Sequence, residues 1–509
     1  VAKIINTAEF NFDELNDDET HWVYNGLDCC VTREIFHELH SVCDPVALET
    51  YEFSKALQAP VLEMSLRGLL VNKNRRRKVI AQMRQKLDQL EQQLLVLVRE
   101  GVGVADFNWR SPKQTNDLLY GVMGLPVQKK RKADGSYGPS TDRDALEKLS
   151  MYFIAEPIIN HLLLLRDLGK SVGFLETPID SDGRFRTSFN IAGTVTGRWS
   201  SEMTDFGTGS NLQNVNAALR SVFVADPGYK FANLDLEQAD ARNVGAICWN
   251  TFIDHPDWDE TSAGKYLDFC ESGDLHTNVL KMSNPNLPWG VDGKTDRQVA
   301  DEPAYRHLTH RDLTKKLGHG SNFMGEPPTM AKHSKLPVAM VKEFQANYFA
   351  AFPCIPAWHE NVAWQVKHQG FIQTPFGRRR FIFGRPTEKS TLREAVANNP
   401  QSMTGDEINN GILKLWRADR VQLLVQVHDS ILFQYREEEE NEIIPWAMET
   451  LPTEITLAKD RRFCVPTDCA VGWNWGYHSS DNPDGLKKWK GGDDRKREET
   501  AFQLSLSDI

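Results

Sequence analysis

Residues 229–242 read YKFANLDLEQADAR, an apolar strand that runs into Asp235 and is followed by a segment of helix-forming composition. Taken alone, Asp235 reads as a helix N-cap, since Asp is among the favoured caps. A second stretch changes that reading. In VQLLVQVHDSILFQY, residues 421–435, two β-rich runs flank His428, Asp429 and Ser430, a hairpin with its acid at the bend. For an isolated hairpin, turn chemistry would explain that acid. As a pair, two carboxylates at the ends of adjacent strands can hold two divalent cations roughly 3.5–4 Å apart. That arrangement activates an attacking oxygen and neutralises a leaving one in phosphoryl transfer.

Such a site needs cations for the rest of a triphosphate, and HRDLTKKLGHGSNFMG, residues 310–325, supplies them. Arg311, Lys315, His319 and Phe323 stand four residues apart and follow one slowly drifting helix face. Twelve residues at 1.5 Å rise span about 18 Å, enough to run beside a nucleotide from its phosphates to its base. Gly318 and Gly320 would each weaken this helix by about 1 kcal/mol. Close approach of a planar ligand to the backbone is the expected reason for them.

The 509 residues are 40% hydrophobic and 25% charged, ordinary globular usage with room for two to four domains. Lys plus Arg is 59 against 70 for Asp plus Glu, a formal charge of -11, so any basic surface is local. Two basic runs stand out, Arg75–Lys78 and Lys129–Lys132. The second lies in MGLPVQKKRKADGSYGPST, residues 123–141, which has loop chemistry. No run approaches eighteen consecutive apolar residues. The eight Cys form no C-x-x-C pair, which argues against a zinc site or disulfide framework and for a reducing, cytoplasmic setting. A helix is expected before residue 42, with Val31, Ile35, Phe36 and Leu39 on one side. Val79, Ile80, Met83, Leu87, Leu90, Leu94 and Leu97 predict a long amphipathic helix that packs on a second helical stretch at 141–170. The start at Val rather than Met suggests a piece of something longer.

With these segments read, the chain resembles the family A DNA polymerases. DLEQADAR resembles the first palm motif, RDLTKKLGHGSNF the fingers helix and QVHDS the second palm motif. TVTGRWSS and NLQN resemble primer and template minor-groove contacts, and DLHTN carries a His that matches a phosphate-contacting one. WRSPKQTNDLLYGVMGLP resembles a thumb tip and TPFGRRR the return from fingers to palm. One such match is noise; a series of them in the family's order is not.

The resemblance implies an α/β protein with the right-hand polymerase fold: an antiparallel-sheet palm, helical fingers and a helical thumb. It divides the chain into a remnant of a 3'-5' exonuclease domain (1–44), thumb (45–183), palm (184–273 and 396–478), fingers (274–395) and a polar tail (479–509). It implies a template-directed DNA polymerase of primer-template DNA and dNTPs, monomeric, with two Mg2+ ions (Mn2+ as a substitute) on Asp235 and Asp429. Arg311 and Lys315 would grip phosphates, with Lys315 giving a proton to pyrophosphate. His319, Phe323, His276, Asp240 and Gln238 would complete the dNTP site. Arg198, Asn211, Gln213, Gln401 and His428 would contact primer and template.

Several positions depart from the family. Asp240 stands where the family has the Glu that excludes ribonucleotides, and Phe323 where a Tyr hydroxyl can hold that Glu, so sugar discrimination is expected to be weaker or differently built. Ser430 replaces the usual Glu after Asp429. Tyr24 and Asp28 have the Y-x-x-x-D spacing of the third exonuclease motif, but the earlier motifs are missing. No proofreading is therefore expected of this chain alone, the exonuclease being a separate chain or a removed part. His319 stands at the usual Phe or Tyr position, and this with the missing exonuclease part leans toward a phage enzyme of the host cytoplasm. A single-subunit RNA polymerase and a non-catalytic clamp are the competing readings.

Overall fold

The structure, a computed structural model, describes residues 15–132, 134–305 and 308–491. Expectations for residues 1–14 and 492–509 lie outside the described residues. Helix α1 (Asp17–Val42) opens on a capping box in which Asn16 and Glu19 each satisfy the other's backbone N–H. Its apolar residues Val31, Ile35, Phe36 and Leu39 stay exposed. Helix α2 (Lys73–Val102) starts where Asn72 caps the Arg75 N–H and stops where Gly103 turns left-handed at φ 80°. With α3 (Arg143–Leu149) and α4 (Glu156–Glu176) it closes a core of its own, where Leu87, Leu94 and Val98 meet Leu146, Ile159, Leu162 and Leu165. The long apolar stripe is thus buried within the chain.

Two details of this helical part differ from expectation. Residues 123–141 are not all loop: Lys129–Arg131 pairs antiparallel with Tyr137–Pro139. Asp134 accepts the Ser136 N–H and Gly135 turns at φ 82°, so the turn chemistry sits inside a hairpin. In the first basic run, Arg76 is not a free cation. It donates to the carbonyls of Leu175 and Thr177 at 2.5 and 2.6 Å, satisfying the end of α4.

The main core lies around an antiparallel sheet whose central strand is β1 (Tyr229–Leu236). Across it the order is β2 (Gln422–Val427), β3 (Ser430–Arg436), β1, β4 (Thr467–Gly472) and β5 (Lys487–Lys488). Strands β2 and β3 are buried almost throughout, as strands covered on both faces are. Helix α5 (Ala239–Phe252) follows β1 directly. Helices α6 (Leu275–Ser283) and α7 (His310–Asn322) stand over the sheet's end, and α8 (Lys389–Ala418) packs on α5 and β3.

The expected boundary at 395 falls inside the continuous helix α8. The expected tail from 479 is also corrected as far as residue 491. Lys487 and Lys488 pair with Val471 and Ala470 at the sheet edge, Leu486 is buried, and the Trp489 N–H donates to Cys469. Gly472 permits this, because a Cβ there would lie 2.6 Å from the Gly485 backbone. Backbone pairing holds this polar stretch without an apolar pattern.

Leu94, fully buried between α2 and α4, tests the second core. Leu94→Ala is expected to lower unfolding stability by about 2–5 kcal/mol in urea titrations; a loss under about 1 kcal/mol would mean the two helices part in solution.

Candidate active site

The acids are placed by strand register. Asp235 pairs with Ser430 across β1 and β3, and the Leu236 N–H donates to the Asp429 carbonyl at 3.1 Å. Asp429 occupies a two-residue turn with His428, which is left-handed at φ 57°. Gln238, three residues past Asp235, is left-handed too, at φ 56°. Strained backbone beside both acids is typical of functional sites. A polar chain braces the turn: Gln213 donates to Gln426 at 2.7 Å, and Gln426 donates to the His428 carbonyl at 2.6 Å.

Burial pushes the Asp235 carboxyl up to about 7, with Asp429 and Asp468 adding repulsion and Lys315 opposing it. Burial raises Asp429 as well, and Asp240 adds to it. Asp468, unnoticed in the sequence, faces Asp235 across β4 and is ion-paired with Lys488 at 2.8 Å. Ser430 supplies no acid; its hydroxyl donates to the Val427 carbonyl. Among the described residues no group of three His, Cys, Asp or Glu side chains is placed to hold one ion.

Both acids line a pocket of about 940 Å3 whose far wall is α7. Lys315 and His319 line it one helical turn apart, joined by Gln238, Asp240 and His276. Burial and the nearby Arg311 and Lys315 push His276 down to about 4, so its imidazole is neutral near pH 7. Desolvation by the surrounding walls lowers His319 also, and Asp240 opposes this. The ring of His319 meets Phe323 edge-on at 4.7 Å. Phe323 itself caps α7, and Pro327 begins the next helix.

Other expected residues stand differently. Arg311 turns to Asp274, with Nη2 to Oδ1 at 2.9 Å. This pair holds the Asp274 carboxyl well below the usual carboxylate range. Gln213 is buried and its amide nitrogen is spent on Gln426, so it is not an open minor-groove donor. Asn211 accepts the Ser201 hydroxyl at 2.8 Å. Arg198 is paired with Asp240 at 2.9 Å. Gln401 is half-buried on α8, and His428 is exposed at the turn. Tyr24 and Asp28 lie on α1. Gly318 and Gly320 both line the pocket; a Cβ at Gly320 would also meet Met330 at 2.8 Å, a packing demand, whereas one at Gly318 would make ordinary contact with Tyr348 at 3.6 Å.

The model described as DNA polymerase family A matches residues 73–251 and 295–477. The chain belongs to DNA polymerase family A. Similar curated proteins include DNA polymerase I of Geobacillus stearothermophilus, 26% identical over 83% of this chain and 45% of that protein. The thermostable DNA polymerase I of Thermus aquaticus is 25% identical over 83% of this chain and 47% of its own length. The family A chain therefore spans less than half the length of these relatives. The POL domain of Pol1 from M. smegmatis, solved in complex with DNA primer-template and dNTP, has a TM-score of 0.63 at 23% identity, covering 82% of this chain and 69% of that one. The likeness shows the shared right-hand polymerase fold. Asp235, Lys315 and Asp429 all lie in the matched spans, whereas His276 falls between them.

The raised acid has a consequence for stability. Because the folded Asp235 binds its proton more tightly than the unfolded one, its contribution is present at acid pH and is lost as pH rises through about 7. Asp235→Asn is therefore expected to stabilise the metal-free protein by about 2–4 kcal/mol at pH 8 and by much less at pH 4, in urea titrations with chelator. Equal effects at both pH values would refute the raised carboxyl.

Proposed function

We propose that the chain is a template-directed DNA polymerase that joins dNTPs to a primer 3' end by phosphoryl transfer. The observation that carries this is the meeting of Asp235 and Asp429 at adjoining strand ends, on the floor of a pocket walled by Lys315 and His319. The curated relatives are named DNA polymerase I, and the M. smegmatis domain was solved with primer-template DNA and dNTP. On this reading residues 45–183 are the thumb, 274–395 the fingers and the sheet the palm.

Two half-buried carboxylates, both pushed up by burial and Asp235 also by repulsion from Asp429, fit divalent cations, which would relieve that repulsion. Asp235 and Asp429 would hold two Mg2+ ions, or Mn2+, which when bound acidify the primer hydroxyl and neutralise the triphosphate. The side chains do the rest. Lys315 Nζ binds the phosphates and gives its proton to departing pyrophosphate. Neutral His276 can donate one ring N–H to a phosphate oxygen. Arg311 joins them by exchanging Asp274 for phosphate. His319 packs against the sugar and base one turn along α7. The exposed hairpin Lys129–Arg131 and the groove beside Arg77 and Arg84, about 650 Å3, suit duplex phosphates. On this reading the cytoplasm is its setting.

Primer extension with Mg2+ tests the reading. Asp429→Asn is expected to reduce extension by about 10³-fold or more, the equivalent of about 4 kcal/mol, while primer-template binding in a gel-shift assay is retained. Extension within tenfold of wild type would reject the assignment. Supplying only rNTPs separates an RNA polymerase, which would extend freely.

A further inference from the structure

Behind the pocket wall at Asp240 runs a hydrogen-bonded chain that neither the sequence motifs nor the phosphate chemistry accounts for. Asp240 Oδ1 accepts from Arg198 Nη2 at 2.9 Å and from the Thr404 hydroxyl at 2.8 Å. The Thr404 oxygen accepts from Asn243 Nδ2 at 3.1 Å, and the same Asn243 nitrogen donates to Glu407 Oε2 at 3.0 Å. Thr404, Asn243 and Glu407 are all buried. A hydroxyl has one proton, and the bond to the charged acid at 2.8 Å is favoured over the Pro400 carbonyl at 3.0 Å. Burial pushes Glu407 up to about 8, so no second negative charge sits beneath Asp240 near neutral pH.

Place along the pocket says what the acid does. On one wall Lys315 acts on Asp235, and one turn further along α7 His319 acts on Asp240. With phosphates at the Asp235 end, a helical turn of about 5.4 Å brings Asp240 beside the sugar. Resting on the polymerase reading above, we propose that Thr404 is a positioning residue for sugar selection, fixing Asp240 so that its carboxylate acts as a wall against a ribose 2'-hydroxyl. Both donors hold Oδ1, which leaves Oδ2 for the pocket. A fixed oxygen cannot retreat and collides with the extra hydroxyl. A loose one swings back and accepts its hydrogen bond, which would welcome the ribonucleotide. Thr404 and Arg198 thus take over the task for which Phe323 lacks a hydroxyl.

The test compares insertion of one dNTP and the matching rNTP on a primed template by wild type, Thr404→Val, Thr404→Ala and Thr404→Ser. Alanine covers the case in which valine leaves the Asn243 N–H unpaired and the protein unfolded. In parallel, non-hydrolysable dNTP and rNTP analogues are titrated onto complexes with a 3'-dideoxy primer. The expected result is at least a tenfold fall in the dNTP-to-rNTP ratio of kcat/KM for valine or alanine, carried by a lower KM for the rNTP. Serine restores the ratio, and the affinity ratio moves alike. Ratios unchanged in the folded valine or alanine variant would overturn the proposal. A wild type that inserts nothing, yet shows the affinity shift, would reject the polymerase reading and leave the role of Thr404 standing.

Discussion

The hydrogen bond from the Leu236 N–H to the Asp429 carbonyl closes the seam between two segments almost two hundred residues apart. Everything at the site depends on it. Asp235 and Asp429 repel each other, so no attraction between their side chains brings them together. Backbone pairing does, and it is enforced by burial: β2 and β3 are covered on both faces. A slip of one residue in β1 would send Asp235 to the opposite face and leave Phe231 and its neighbours mispacked. The hydrophobic core thereby fixes a polar geometry that is unfavourable in itself, the usual trade of stability for function.

The cations around these acids are distributed unequally. Arg311 is held by Asp274, Arg198 by Asp240 and Lys488 by Asp468. Lys315 carries no ion pair among the described residues, although it lies close enough to lower the carboxyl of Asp235. Such pairs are partly exposed and contribute little to stability. Their effect is positional: each keeps a cation and an acid in place around the two carboxylates. A surface of net charge -11 therefore coexists with a pocket whose cations are already gathered on one wall.

What could be read beforehand follows from what each feature needs. The strand into Asp235, the hairpin around Asp429 and the cationic face of α7 are local: alternation, turn chemistry and four-residue spacing all lie within fifteen residues. The same holds for α2, whose stripe announced the second core. Asp468, Thr404 and Asn243 were illegible because their roles arise from register and helix packing across long separations. Asp468 matters because β4 pairs with β1 at that residue. Local chemistry also misled. At Gly320 spacing could not show that a side chain would also collide with Met330. The stretch around Lys487 looked like a tail because strand pairing at an edge needs only backbone, one Leu and one Trp.

On the proposed reading, the residues at positions 240 and 323 belong together physically. A carboxylate one methylene shorter than Glu at position 240 reaches less far into the pocket, which lengthens the span to a hydroxyl at position 323, the cap of α7. Support from below suits the shorter acid: Thr404 rises from α8 beneath α5, and Arg198 closes in from the side. Both partners approach one oxygen, which fixes the carboxylate about its Cβ–Cγ bond as a single bond to a tyrosine would not. Phe323 is then free to serve as an apolar cap on α7 and a partner for the His319 ring. On the proposed reading the changes at the two positions are one rearrangement, in which the acid is anchored from α8 by Thr404 and from the side by Arg198.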